Sequence, residues 1–451
     1  MRAVVAQRFP TLLLVVGLVT GAGCSTSRRD RGWFNSEVNE RLGGHADGAA
    51  TDDGAVLVVV DDAVVVDRVL RFQPQLRAEL TRIDAARATL DEASRPTNPQ
   101  LSLLGGFGLI STMASLVAPL ESLWQLPLRS QAAAVDVDVT AESVLMRALD
   151  LVREARVALI DWRASIARAE LRASLQSTAS ELARIASVRA RVGETAALDE
   201  RLLAADALVA TDNGNVAAVD AEIARARLAQ LLAIDVDRLT GPAALVEHDD
   251  QTLPALSTLI QLARAARPDA RAAAFALDAA AARHGVEVGR IFNVSALVEG
   301  HWQDGAPAAR LGARLEVPIF GANVGGLGRA DAEVVRADAA LDVVARAVIF
   351  DVTAARARLA QAVQSQARYE HEVLPALNEA LEIATRGFDA GDDSWLVVLD
   401  VLRRVGDARL RHVELVAEQQ RARCDLERAI GARLGVIDDV AARLAQQEDH
   451  Q

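Results

Sequence analysis

VSALVEGHW (residues 294–302) and RLGARLEV (310–317) are the stretches whose reading decides the fold. In the second, Leu311, Ala313, Leu315 and Val317 alternate with Arg310, Gly312, Arg314 and Glu316. Strict alternation puts the apolar set on one face of a strand and the charged set on the other. In the first, Val294, Ala296, Val298 and Trp302 alternate with Ser295, Leu297, Glu299 and His301. The turn-forming QDGAPAA between them predicts a hairpin. Strands of about 9–11 residues suit a tilted crossing of a bilayer, with lipid on the apolar face and water on the polar one. Arg314 and Glu316 are then candidates for the lumen of a barrel. NPQLSLLGGFG (98–108) has the same character, with Leu101, Leu103 and Phe107 on one face. Its partner falls within 114–128, a stretch interrupted by Pro119 and Pro127. Two hairpins give four strands. Closed barrels need about eight, and an open edge in lipid leaves backbone groups unsatisfied. The chain is therefore expected to oligomerise.

Outward from these strands, the sequence is written twice. Pro74 and Pro268 align, each inside a helical pattern, with Ala78, Ala85, Ala86 and Ala88 falling on Ala272, Ala279, Ala280 and Ala282. Farther on, RVGETAALDERLL around Gly193 aligns with DAGDDSWLVVLDV around Gly391. The same shift brings Leu198 onto Leu396, Ala224-Arg225 onto Ala422-Arg423, and Leu228 onto Leu426. Each copy reads helix, short apolar segments, long helix, glycine-containing turn, helix. The expected organisation is a first repeat at 61–235, a polar linker at 236–253 and a second repeat at 254–437, with a polar tail at 438–451.

The long segments are helical by period. Leu145, Val152, Leu159, Ile166 and Ala173 stand seven apart, with Ala148, Ala155, Trp162 and Ala169 between them. Leu341, Ala345, Val348, Val352, Ala355, Leu359 and Ala362 repeat the stripe in the second half. About 60 residues of such helix make a rod near ~90 Å long. A plain coiled coil would show the same stripe, so the strands carry the distinction.

Composition excludes more than it identifies. Apolar residues make up 51% and aromatics only 3%, which favours close-packed helices. The net charge of −13 argues against a nucleic-acid partner. Two cysteines, Cys24 and Cys424, cannot build a disulfide framework or a zinc site. Cys424 reads as a small packing residue. The scattered histidines have no metal-ligand spacing. GANVGGLG (321–328) reads as a flexible joint, and no nucleophile or acid–base set appears, so neither an enzyme nor a cofactor is expected. Arg2 and Arg8, an apolar run at Leu12–Val19 and small residues Gly21-Ala22-Gly23 before Cys24 have the layout of an export signal. Signal peptide 1–23 and a lipidated, flexible segment 24–60 are expected. The cysteine after small residues resembles the bacterial lipobox, with Gly21 where that motif usually has leucine.

RGFDAGDDSWLVVLDVLRR (386–404) resembles the signature of TolC-like outer-membrane efflux proteins. LEVPIFGANVGGLGRADAEVVRADAAL (315–341) resembles their strand-to-helix passage, and RPD (267–269) and NPQLSL (98–103) their helix start and first strand. The likeness spans roughly 55–437. It implies a mainly α chain with a membrane β-barrel: four strands per chain, a homotrimer closing twelve, and a long coiled-coil helical barrel in the periplasm. It also implies an adaptor and an inner-membrane pump as partners, outer-membrane lipids around the barrel, and lipid anchoring at Cys24. Gly193 and Gly391 match the glycines of the tips that face the adaptor, making Glu194, Thr195, Asp392, Asp393 and Ser394 contact residues. The resemblance puts acids six and nine positions after the second glycine, at the periplasmic constriction. Here those positions hold Val397 and Asp400, and Asp199 stands six after Gly193. The expected function is a passive conduit. The alternative is a lipid-anchored periplasmic coiled-coil adaptor or interaction protein, which should carry a single helical hairpin instead of two copies with strand pairs.

Overall fold

A computed structural model describes residues 29–42, 61–104, 112–193, 196–241, 245, 253–303, 306–319, 321–390 and 395–436. The elements are α1 (Arg31–Leu42), α2 (Asp62–Phe72), α3 (Pro74–Ala93), β1 (Gln100–Leu104), β2 (Thr112–Pro119), α4 (Glu121–Arg191), α5 (Ala197–Leu231), α6 (Leu256–Ala266), α7 (Pro268–Gly289), β3 (Asn293–Gln303), β4 (Ala306–Glu316), α8 (Val324–Arg368), α9 (Leu374–Ala390) and α10 (Trp395–Ile430). From α2 onward the order two helices, two strands, long helix, helix occurs twice. In the second copy a π-helical turn, Tyr369–Val373, divides the long helix into α8 and α9. There the Leu374 N–H bonds to the Tyr369 carbonyl, five residues back. Pro375 follows, and its missing N–H and bulky ring explain why the regular ladder breaks at this place.

The chain forms two compact units. The first comprises Met1–Asp30, Arg82–Ala141 and Ala272–Asp342. It holds one antiparallel sheet in the order β1-β2-β3-β4. The registers join the apolar faces across all four strands. Leu101 pairs with Leu116, which pairs with Val298, which pairs with Leu311. Leu103, Ala114, Gly300 and Ala309 make the next row. Val294 stands opposite Leu315 and Ala296 opposite Ala313. The expected partner strand in 114–128 is β2, which Pro119 ends; Pro127 lies inside α4. Pairing extends through Gln303↔Ala306, so most of the expected seven-residue turn QDGAPAA belongs to the strands. Against the helices, Leu90 packs with Ala133 and Val137. Trp124 Nε1 and Gln125 Nε2 both donate to the Gly289 carbonyl at 3.2 Å, satisfying the end of α7.

The second unit comprises Arg31–Thr81, Glu142–Arg271 and Val343–Gln451. Its main core joins Leu259 and Ala263 of α6, Val348, Val352 and Leu359 of α8, and Leu426 and Ile430 of α10. Alanines at Ala266, Ala355 and Ala429 let these backbones approach. The predicted α4 stripe is buried at Leu145, Ala148, Val152, Ala155, Leu159 and Trp162. It turns outward at Ile166 and Ala169, and Ala173 is exposed. A straight helix drifts against a seven-residue repeat, so a stripe drawn on sevens leaves the core.

Two expectations are corrected. Pro74 and Pro268 are not inside helices; each opens one, in the position where the absent N–H costs least. The segment 24–60 is not flexible throughout, because 31–42 forms α1. Its Arg41 is fully buried, held by Glu37 and donating to the carbonyls of Ala266 and, at 3.0 Å, Gly431. A guanidinium at two helix C-termini meets the negative ends of their dipoles.

Candidate functional site

On the second face of the sheet lie the polar residues. Ser102, Ser115, Glu299 and Arg310 form one cross-strand row. Arg314 stands opposite Ser295, and Glu316 opposite Asn293, whose Nδ2 donates to Glu316 Oε2 at 2.9 Å. His301 lies on the same face with Nε2 3.9 Å from Glu299 Oε2. Both proposed lumen residues, Arg314 and Glu316, are therefore on the polar face, together with Glu299, Arg310 and His301. The alternation in the sequence contained these three, but only pairing sets Glu299 opposite Arg310, with His301 next along the same face of β3. The opposite face is apolar and bare: Leu101, Leu103 and Leu311 are 65%, 70% and 84% exposed. Such a patch across four strands is foreign to a soluble monomer and suits lipid. No described helix is long and apolar enough to cross a membrane.

At the turn after α4, Gly193 has φ +82, with nothing within 4 Å of where a Cβ would stand. The left-handed backbone, rather than crowding, selects glycine there. Glu194, Thr195, Gly391, Asp392, Asp393 and Ser394 lie outside the described residues, as does Cys24. Around the second turn, Phe388 and Trp395 meet edge-to-face at 5.0 Å. The Arg189 guanidinium, in the last turn of α4, sits 5.9 Å over Phe388. This brace ties the ends of α4, α9 and α10 together; the aromatic of the sequence signature was its only advance signal.

Asp400 lies on α10 with its carboxylate in an ion pair, 2.8 Å from Arg404 Nε. Asp199 occupies the first turn of α5, where the helix dipole favours an acid. Among the described residues no hydrogen bond or ion pair joins Asp199 to Asp400. Val397 is partly exposed at the position where the resemblance expects an acid.

Above these residues α10 is held to α4 by a ladder of ion pairs. Asp150 pairs with Arg428 at 2.8 Å, Arg153 with Asp425 at 2.6 Å and Asp161 with Arg421 at 2.7 Å. Arg168 meets Glu414 at 3.7 Å. Arg156 joins Glu427 to Asp62 of α2. Burial disfavours the Arg421 cation, but Glu414 and Asp161 outweigh it and hold its pKa above the ordinary value. Burial pushes the Cys424 thiol up to about 12 against the pull of Arg156, so the sulfur is a neutral packing group, as its helical setting suggested. Among the described residues no cluster of histidines, cysteines and acids could hold a metal ion.

Residues 259–432 match the family described as outer membrane efflux protein. That stretch lies within the second copy of the repeat. No curated protein matches its sequence. Among solved structures, a membrane protein from Pseudomonas aeruginosa is similar with TM-score 0.72 and 21% identity, over 81% of this chain and 92% of that one. CusC is similar with TM-score 0.72 and 18% identity, over 84% and 94%. The outer membrane protein VceC from Vibrio cholerae is similar with TM-score 0.71 and 16% identity, over 82% and 95%. At these identities the likeness speaks for the fold, which is that of the TolC-like outer-membrane channels. The two copies of helix pair, strand pair and long helix differ from the single helical hairpin expected of the adaptor alternative.

Proposed function

We propose that the chain is one subunit of a passive efflux conduit in the outer membrane, a homotrimer whose twelve strands close one barrel. The observation that carries this reading is the four-stranded sheet with one face apolar and exposed, the other charged, and, among the described residues, its outer strands β1 and β4 unpaired on one side. In lipid those edges demand partners, and identical copies supply them. A second support is α5, where Leu202, Val209, Val216 and Ile223 stand seven apart, each about half exposed or more. A neighbouring copy would cover this stripe. The reading assigns the work of transport to a pump, reached through a periplasmic adaptor.

The same reading assigns the turns at Gly193 and Gly391 to adaptor contact, Asp400 and Asp199 to the periplasmic constriction, and Arg314 and Glu316 to the lumen. It assigns Cys24 to lipid attachment, and the repeats to 61–235 and 254–437. The test is direct. Membranes are fractionated, the protein is cross-linked, and the purified species is added to planar bilayers. An outer-membrane trimer that conducts is expected; soluble monomer alone would refute the proposal. Mass measurement of the mature N-terminus checks Cys24 separately.

A further inference from the structure

At the junction of strands and helices, the first unit has a cleft of about 420 Å³ lined by α3, α4, α7 and α8. Its floor is small and apolar, formed by Ala132, Ala133, Val286 and Ala330. Its walls carry four arginines, Arg129, Arg283, Arg290 and Arg329, in a chain of net charge −13. Two are engaged by acids: Arg283 with Asp136, and Arg290 with Glu287 at 2.5 Å. Glu287 is occupied further by the Asn323 amide at 2.8 Å. Arg129 donates through Nη2 to the Arg95 carbonyl at 3.1 Å, while its Nε is buried without a partner. Arg329 has no polar partner among the described residues. Glu333, the remaining acid, lies one helical turn farther from β4 than Arg329. A buried guanidinium N–H left unmatched costs free energy, so the cleft is short of an anion with acceptor oxygens.

Position names the anion. α4 begins two residues after β2 ends, α7 ends just before β3 begins, and α8 follows β4. All three helices meet the sheet at one edge. Trp124, 41% exposed, and Phe292, 55% exposed, stand at these junctions, where aromatics mark a membrane–water boundary. Side chains on a helix lean toward its N-terminus, and α4 and α8 both start at the sheet. Arg129 and Arg329 therefore reach back toward it. Arg129 lies eight residues beyond Glu121, ~12 Å of helix rise. A headgroup layer of roughly 5–8 Å, met by a long arginine stem, covers that distance.

We propose that this cleft binds the phosphate of an anionic phospholipid in the periplasmic leaflet, its free oxygens accepting from Arg129 and Arg329. Arg290 lines the mouth, and the Arg283–Asp136 pair closes the back. The site rests on the reading that the strands cross the outer membrane.

The test uses the full chain, purified and reconstituted in phosphatidylcholine vesicles with or without phosphatidylglycerol. Phosphatidylglycerol retained per oligomer is counted by native mass spectrometry for wild type, the double variant Arg129→Gln/Arg329→Gln and the exposed control Arg184→Gln. Vesicle flotation and conductance are followed in parallel. Wild type and control should hold phosphatidylglycerol over phosphatidylcholine, and the double variant should lose about tenfold in retention while still floating and conducting. Equal retention by a floating, conducting double variant overturns the site alone. Displacement of the lipid by soluble glycerol phosphate at equal concentration overturns it in favour of a free-phosphate site. A wild type that does not float overturns the channel reading, and the site with it.

Discussion

α5 and α10 close the two copies of the repeat, and they differ along one stripe. The shift that carries Gly193 onto Gly391 (391 − 193 = 198) carries Leu202, Val209, Val216 and Ile223 of α5 onto Asp400, Asp407, Glu414 and Arg421 of α10. The α5 stripe is apolar and exposed. The α10 stripe is charged, and its C-terminal half is already satisfied: Glu414 and Arg421 pair with each other and with Arg168 and Asp161 of α4. One duplicated helix has found its partners within the chain; the other keeps an exposed apolar row. Duplication supplied equal backbones, and substitution at four positions made one of them an internal strut and the other a candidate seam.

The largest test of this contrast writes the α10 chemistry onto α5. Val216→Asp with Ile223→Asp should abolish the trimer in cross-linking while leaving helical content unchanged, since each apolar side chain lost from an interface removes about 2 kcal/mol at every copy. Trimer surviving the double change would remove α5 from the seam. Next, Arg156→Ala strikes the strut. Glu427, 6% exposed, would keep its charge without this partner, and a loss of about 3 kcal/mol in unfolding free energy is expected.

The turns that follow the two helices sharpen the comparison. Gln73 Nε2 donates to the Leu231 carbonyl at 3.0 Å, and in the second copy Arg267 Nη1 donates to Ala429 at 3.4 Å. Ala233 has φ 53 and its counterpart Gly431 has φ 83. A Cβ on Gly431 would stand 3.1 Å from the Arg267 Cα and 3.3 Å from the Ala266 oxygen. Gly431→Ala should cost about 2 kcal/mol, combining left-handed strain with a backbone clash. Ala233→Gly should gain about 0.5 kcal/mol, the relief of strain exceeding the added chain entropy. Opposite signs in thermal melts are the outcome to look for.

The last effect is a pH dependence at Cys424, confined to alkaline solution. Its ordinary value of 9.0 is raised to about 12 in the fold, so the buried thiol stabilises fully below pH 9. That contribution declines as pH rises from 9 toward 12, by up to ~1.4 kcal/mol per unit. Cys424→Ala should flatten the alkaline limb of a stability–pH profile, and an unchanged limb would mean the thiol ionises in place.

The sequence by itself determined the repeat, the strand faces and the helical period. Each is a local pattern: Leu311 to Val317 alternate whatever they touch. It placed Arg314 and Glu316 on the polar face for the same reason, and it supplied the family likeness that named Gly193, Asp199 and Asp400. It misjudged 24–60, because α1 is specified by Arg41 reaching two helix ends more than 200 residues away in the chain. Only the tertiary structure joined Ser102, Ser115, Glu299 and Arg310 into a row and set Arg129 and Arg329 in one cleft. Those facts depend on strand register and on which helix faces turn toward each other. Both are fixed by contacts between distant residues, and no local spacing carries that information.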